Sequence, residues 1–576
     1  MYESINKFKK IEIALVISLI IIFFIKKLNI IDYGFPFFQQ EDEGAFLKST
    51  ISYISFITGI KRELSDPFFG PLINLLITFK IIFVNEFILN SSSLAEIKEK
   101  IYNDPSILIL YGRYCSLIIT SLSFFLLYLI FKKLKINFFI YFPLLISLSL
   151  SLFTMTISIV NGKNSYYFFF FLLQLYFLIK CYIKIKKFSK KDYLIFSILA
   201  SFAWGVNYWS SIVSFYAVAI LHYKKFKFSN FHFLFYFLLG FILLGIIPSL
   251  VLENYFFLDF FSNEKENFSI YFFFESLINK FLFSLKILFN TEIFIFIYIF
   301  LFLFYLSKNF KNKKIIILLS ILLIEPILIF SVTGDDFVPE LRYFSGLISL
   351  MFVLSALMIK DISSFYKSKL LIIVFIFINF VIILDKTIEY IKLNNIFISN
   401  HSFIVFYEKN LNNNSNILYL IPRLDTRKNL KNLNFYKNLH EKNIIINKSF
   451  QKDNYSSILK KIEIEKKSNA KFKNKKILDL NLFNINLFEI NNFESFFNEV
   501  KKKYKFVSIQ ENGLETNSLY NYIKLNFTKI YQQNNNDEIY YNDGLRDIMK
   551  FLYNGGSKKK LNQFVLGNNY SLYQLN

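Results

Sequence analysis

The chain has two cysteines in 576 residues, Cys115 and Cys181, and both lie in or beside hydrophobic runs. That excludes a disulfide framework and a metal-thiolate cluster, and leaves the redox compartment open. Histidine is almost as scarce. His222, His232, His401 and His440 show no metal-ligand spacing, and the first two read as interfacial residues at the ends of apolar runs. Glycine is sparse as well, and Gly555-Gly556-Ser557-Lys558 lacks the spacing and strand context of a phosphate-binding loop. Charged residues make up only 19% of the chain, against 54% hydrophobic and 20% aromatic, with 76 Phe. No soluble core accommodates that excess, so the composition excludes an ordinary soluble enzyme.

What is present is a series of apolar runs long enough to cross about 30 Å of hydrocarbon. The first, about residues 11–25, follows Lys7, Lys9 and Lys10 but has no small-residue cleavage site after it, so it reads as an anchor rather than a signal peptide. Others lie at about 107–131, 136–159, 165–183, 192–205, 207–222, 231–252, 291–307, 315–332, 343–359 and 369–385, which makes eleven. The segment between the first two, about 27–105, is a long mixed loop. Its piece Pro71 to Leu89, interrupted by Lys80 and Glu86, reads as an amphipathic helix lying on the membrane.

The 66 Lys+Arg exceed the 42 Asp+Glu by 24, and here the distribution matters more than the sum. Lys132, Lys133 and Lys135, the cluster from Lys180 to Lys191, Lys224 to Lys227, Lys308 to Lys314, and Lys360, Lys367 and Lys369 all fall on the side of the N-terminus. The opposite loops hold Asp42 and Glu43, the hairpin near Trp204 and Trp209, the acidic stretch Glu253 to Glu275, and Asp335, Asp336 and Glu340. The positive-inside rule therefore predicts a cytoplasmic N-terminus, no nucleic-acid partner, and an external tail after about residue 386. The tail, 386–576, carries β-type runs at Asn416 to Ile421, Asn443 to Ile446 and Lys505 to Ile509. Helix-like stretches alternate with them at Asn454 to Lys467 and Phe493 to Lys503, which predicts a small α/β domain.

The strongest chemical signal is Glu41-Asp42-Glu43, just after the first run. Three adjacent carboxylates near a low dielectric are solvated, paired with a cation, or held protonated for proton transfer. Alone, the triplet fits a plain acidic loop in water better than a site.

Its context adds to it. Span, acidic pair, a loop containing Asp66-Pro67 and Gly70-Pro71-Leu72, then Tyr111-Gly112-Arg113 opening a second span, is an order that resembles the GT-C glycosyltransferase superfamily. The nearest likeness is to its branch of protein mannosyltransferases and the lipid A aminoarabinose transferase. Asp192-Tyr193-Leu194 to Gly205-Val206-Asn207-Tyr208 is similar to the family's paired fifth and sixth helices, and Pro339-Glu340-Leu341-Arg342-Tyr343-Phe344 to its late Arg-Tyr motif. The chain departs from the pattern at Gly70, where the family often has Lys or His, and at Asn161 to Tyr166, where it often has an Asp.

The resemblance covers roughly residues 8–385. It implies a transmembrane catalytic domain, 1–385, of about eleven helices with external amphipathic helices, in the bacterial inner membrane. It further implies transfer of a sugar from a polyprenyl-phosphate donor to a glycan, lipid or protein acceptor at the outer face. The resemblance places the acidic pair at 42 and 43, with Asp42 the candidate base and Glu43 orienting acceptor or metal; Glu41, the third carboxylate of the triplet, is a lesser catalytic candidate. Arg113, Arg342 and, more weakly, Lys265 meet the donor phosphate, while Asp66 and Pro71 belong to the substrate loop. No organic cofactor is implied; a divalent metal, Mg or Mn, would sit on Asp42 and Glu43. Two other classes stand beside this reading. A transporter or lipid-linked-oligosaccharide flippase predicts charged or Gly/Pro-broken spans in paired halves, of which few are seen; a scaffold leaves Glu41 to Glu43 unexplained.

Overall fold

A computed structural model of the chain describes residues 2–31, 93, 96, 106–159, 162–183, 189–206, 208–224, 231–247, 294–308, 310–323, 344–366, 369–397, 417–420, 444–449, 483–484, 493–502, 505–510, 518–532 and 570–575. A helix occupies each of the eleven apolar runs. They are α1 (Tyr2–Leu28), α2 (Ser106–Lys133), α3 (Phe138–Ser149) with α4 (Leu152–Ser158), α5 (Lys163–Ile183), α6 (Lys190–Val206), α7 (Ile212–Lys224), α8 (Phe231–Phe241), α9 (Phe294–Leu306), α10 (Lys313–Ile321), α11 (Ser345–Phe365) and α12 (Lys369–Phe397). Leu110–Lys133, Lys163–Ile183 and Ser345–Phe365 are long and apolar enough to cross a membrane. Helix is the expected solution there, because hydrocarbon offers no partner for a backbone N–H or C=O.

Boundaries differ from the sequence reading where local chemistry intervenes. The run at 136–159 is broken, because Ser151 takes an N-cap conformation and accepts from the Thr154 N–H at 3.2 Å, starting α4 anew. A 3₁₀ turn, Tyr208–Ser211, leads into α7. α12 continues to Phe397, beyond residue 385.

α11 is buried along nearly its whole length, as expected of a helix that is apolar all round, and it packs against α3, α5, α9, α10 and α12. α2 packs on α1 and α5. The outer helices show the opposite pattern. Phe235, Leu243 and Leu244 on the α8 side, Phe300 and Leu303 on α9, and Leu370, Ile373, Phe377 and Phe380 on α12 are exposed. So large an apolar exterior marks an integral membrane protein.

In lipid, helices are joined by close packing and internal hydrogen bonds rather than by the hydrophobic effect. At the end that carries the lysine clusters, buried Glu12 of α1 accepts from Lys132 Nζ of α2 at 2.9 and 3.0 Å and from the Tyr141 hydroxyl of α3. Buried Asp361 of α11 accepts from the Asn312 backbone N–H at 2.9 Å, from the Asn312 side-chain amide and from the Tyr305 hydroxyl, which fixes the α9–α10 turn. Lys360 Nζ donates to the Leu134 carbonyl at 2.7 Å, tying α11 to the α2–α3 turn.

The α6–α7 hairpin is held from α5. Gln174, fully buried, donates Nε2 to the Ser210 carbonyl at 2.8 Å, and its Oε1 accepts from the Ser214 N–H at 3.0 Å and hydroxyl at 2.7 Å. α8 runs directly into a π-helical turn, Ile242–Ile246. Residues five apart diverge by about 140° on an α-helix but stack on a π turn. The π turn thus lets Gly240 and Gly245 both face α6, where they meet Ser197 and Ser201, four residues apart on one face.

In the tail, β1 (Ile417–Leu420), β2 (Ile444–Ser449), β3 (Phe483–Asn484), β4 (Phe506–Gln510), β5 (Thr528–Gln532) and β6 (Tyr570–Gln574) form one sheet in the order β3-β2-β1-β4-β6-β5. The first four are parallel; β6 runs antiparallel to both β4 and β5. The parallel register Ile417↔Ile444 and Ile417↔Phe506 requires crossovers, the αβ signature anticipated from the runs near 416, 443 and 505. α13 (Phe493–Lys501) and α14 (Ser518–Asn526) join through Phe497, whose ring stacks on Tyr522 at 5.7 Å and meets Phe527 edge-on at 4.7 Å. The stretches Asn454 to Lys467, Asn534 to Asp537 and Gly555 to Lys560 lie outside the described residues.

The α6–α8 contact generates a stability prediction. A side chain at Gly245 would press on the Ser201 Cα, 3.2 Å from an added Cβ, and backbone cannot step aside. Gly245→Leu should therefore lower stability by about 1–3 kcal/mol, the ordinary cost of overpacking. Gly240→Ala meets only the Ser197 side chain, so it should be milder and relieved by Ser197→Ala. Thermal unfolding of the detergent-purified chain checks this; equal midpoints for Gly245→Leu and wild type would contradict it.

Candidate functional site

Of the residues the sequence singles out, Arg113 is the one that falls among the described residues. Glu41, Asp42, Glu43, Asp66, Pro71, Lys265 and Arg342 lie outside them. Arg113 sits near the start of α2, with Gly112 before it and Ser116 and Leu117 one turn on, all buried. Its own side chain has no solvent exposure. Nη1 donates to the backbone carbonyl of Ile31 at 3.0 Å, just beyond the end of α1. This is not a snorkelling arginine, which would carry its head into water. It is a buried guanidinium spending a charge-assisted bond on a main-chain oxygen.

The partner carbonyl belongs to a tightly wound exit. After Leu28 the chain continues with Asn29 N–H bonding to the Ile25 carbonyl at 3.4 Å, Ile30 N–H to Lys27 at 3.2 Å and Ile31 N–H to Leu28 at 3.3 Å. The last two are 3₁₀-type bonds that tighten a helix terminus. Ile30 and Ile31 are buried, so apolar contact holds the exit while Arg113 faces the negative end of the α1 dipole. Lys27 is buried one turn before the exit, with Nζ 5.7 Å from the centre of the Phe23 ring, and Phe23 packs on Phe124 of α2 at 4.9 Å. Two basic side chains, Arg113 and Lys27, are therefore buried near the end of α1 and the start of α2.

The two other motifs have definite local roles. Asp192 accepts from the Ser189 N–H and hydroxyl, both at 2.8 Å, while the Ser189 carbonyl takes the Asp192 N–H at 2.9 Å; this reciprocal cap starts α6. Trp204, in the hairpin, meets Phe241 edge-on at 5.4 Å. Phe344, last of the late Arg-Tyr motif, is buried at the head of α11. In the aromatic run after Asn164, Tyr166, Tyr167, Phe168 and Phe171 are buried, which makes them packing residues.

Sequence reading passed over Lys27 and Glu12. Glu12 had a usable signal, a carboxylate inside an apolar run, which hydrocarbon tolerates only with a partner. Lys27 reads as an ordinary flanking lysine, and its burial follows from a helix contact no local pattern encodes. Neither Cys115 nor Cys181 is in a disulfide, and Cys181 Sγ donates to Asp192 at 3.7 Å. Among the described residues no three His, Cys, Asp or Glu converge as a metal site; Asp42 and Glu43 lie outside that set.

No protein-family model matches the chain, and no curated protein matches it. Among solved structures, that of ArnT from Cupriavidus metallidurans bound to undecaprenyl phosphate is similar over 90% of this chain and 96% of that one, at 11% identity and a TM-score of 0.43.

Proposed function

We propose that the chain is a membrane glycosyltransferase that moves a sugar from a polyprenyl-phosphate donor to an acceptor at the external face. The observation that carries the reading is the order of motifs along the chain: an acidic pair in the segment that follows α1, Arg113 entering α2, and Arg342 just before α11. In this reading the eleven runs are eleven spans, residues 1–385 are the catalytic domain, and the sheet-bearing tail is external.

The reaction follows from the groups available. An acceptor oxygen attacks the anomeric carbon, the bond from that carbon to the phosphate oxygen breaks, and the acceptor proton passes to Asp42. The prenyl phosphate leaves as an anion, and Arg342 and Arg113, with Lys265 a weaker contributor, supply positive charge where that anion develops. Glu43 orients the acceptor, Glu41 adds negative potential beside it, and Asp66 and Pro71 shape the loop over the donor. Two neighbouring carboxylates are also the oxygen donors a hard cation such as Mg or Mn prefers, and such an ion would add charge stabilisation at the same place. Which sugar moves, and whether the acceptor is glycan, lipid or protein, depends on contacts beyond these residues.

Three outcomes test this. Reporter fusions at residue 188 and after residue 400 should read opposite sides of the membrane; one side for both would overturn the span count. Asp42→Asn, isosteric but unable to accept a proton, should lose about two to four orders of magnitude in transfer rate at equal protein level. Glu43→Gln should also fall, and Glu41→Gln less; flat rates at all three positions would reduce the triplet to a solvated loop. Arg342→Lys should weaken donor use by about 1–3 kcal/mol in kcat/KM, because a point charge cannot replace a bidentate fork. Unchanged donor kinetics would remove Arg342 from the phosphate site.

A further inference from the structure

We propose that the lysine-bearing end of the bundle holds a site for one anionic phospholipid, whose phosphate headgroup is met by Lys135, Lys311 and Lys360. The inference requires the membrane and not the transferase reading. The three lysines come from separate parts of the chain, the α2–α3 turn, the α9–α10 turn and α11. Two neighbouring residues of α11 bring them together. Lys360 Nζ donates to the Leu134 carbonyl at 2.7 Å, which draws the next residue of that turn, Lys135, to this end of α11. Asp361 accepts from the Asn312 N–H at 2.9 Å and from the Asn312 side-chain amide, which does the same for the preceding residue, Lys311. The charges of Lys135 and Lys311 both act on Lys360, as groups held this near one another must.

Three features point to a bound anion at headgroup level. First, the positive charge is not matched within the protein. Asp361 turns its oxygens to Tyr305 and Asn312, and among the described residues Lys132 pairs with Glu12 whereas Lys135, Lys311 and Lys360 form no ion pair. Second, Lys135 has φ 55° and occupies the left-handed position after α2, where the Ile136 N–H bonds to the Phe131 carbonyl and the Lys135 N–H to the Lys132 carbonyl, both at 3.0 Å. Glycine would meet that backbone demand without strain, so the lysine brings an exposed cation at a conformational cost. Third, Phe310 stacks on Tyr305 at 4.5 Å and meets Phe365 edge-on at 5.2 Å, and this aromatic row ends at the exposed Phe365 and Tyr366. Leu303 and Leu306 of α9 are exposed just before the same turn. Aromatic rings between an apolar helix surface and lysines mark the depth of lipid headgroups, and acyl chains would lie along the α9 surface. Ammonium groups held by hydrogen bonds from three stretches of chain are preorganised for one headgroup, unlike a flexible polybasic run.

The test uses variants that leave the fold alone. Lys135→Gly removes a cation and suits the left-handed backbone, and Lys311→Gln alters an exposed turn residue, so both should unfold at the wild-type temperature or above. Lys191→Gln removes the same charge from the same end of the bundle, at the exposed start of α6. Native mass spectrometry of the full chain in neutral detergent, titrated with phosphatidylglycerol, should show one tightly bound lipid on the wild type. Binding should weaken about fivefold in Lys135→Gly and in Lys311→Gln and about twenty-five-fold in the double variant, with Lys191→Gln unchanged. Phosphatidylcholine, whose choline cancels the phosphate charge, should not displace it.

An equal loss in Lys191→Gln would mean diffuse attraction to the whole basic end and would overturn the site. Wild-type affinity in the double variant, or displacement by equimolar phosphatidylcholine, would overturn it as well. Inorganic phosphate that displaces the lipid at equal concentration would overturn the lipid assignment and leave a site for a soluble phosphate.

Discussion

Hydrocarbon forms no hydrogen bonds, and the architecture of the first four hundred residues follows from that. Every backbone amide in the bilayer has to bond within its own segment, so the apolar runs become helices whatever their intrinsic propensities. The Phe-, Ile- and Tyr-rich compositions of α5, α8 and α9 are poor helix formers by intrinsic preference in water, yet each is helical here. With the exterior as apolar as the interior, helix association falls to shape and to the few polar groups inside. That is why Gly240 and Gly245 abut Ser197 and Ser201, and why Gln174, Glu12 and Asp361 each serve several partners from other elements.

Those polar ties are unevenly placed. Glu12 and Asp361 anchor the end of the bundle that carries the lysine clusters, where Lys132 and Lys360 also bond inward. Losing one partner of such a buried carboxylate costs about 1–3 kcal/mol, because an acceptor is left unsatisfied away from water. At the opposite end the α1–α2 junction contains Arg113 and Lys27 instead, both buried. The lysine-bearing end thus holds two buried carboxylates, and the other end two buried basic side chains.

Much of the fold was legible because its signals are local. Runs of twenty apolar residues need no tertiary information, and the β-type runs near 416, 443 and 505 became β1, β2 and β4 because alternation and β-branched residues act over a few positions. The break at Ser151, the π turn after α8 and the extension of α12 to Phe397 were not legible, since each depends on a cap or a neighbour that short windows do not encode. The order β3-β2-β1-β4-β6-β5 was hidden for the same reason. Arg113 was singled out from its place at the head of a span, but its partner was not, because Ile31 offers only a main-chain oxygen and any residue type has one.

The central claim is that this membrane protein consumes a prenyl-phosphate sugar at its outer face. Mass spectrometry of extracted prenyl-phosphate lipids and of surface glycans, in cells with and without the gene, tests it most directly. Loss of the gene should leave one prenyl-phosphate sugar accumulated and the same sugar missing from one surface acceptor. Unchanged lipid-linked sugars together with unchanged surface glycans would contradict the account.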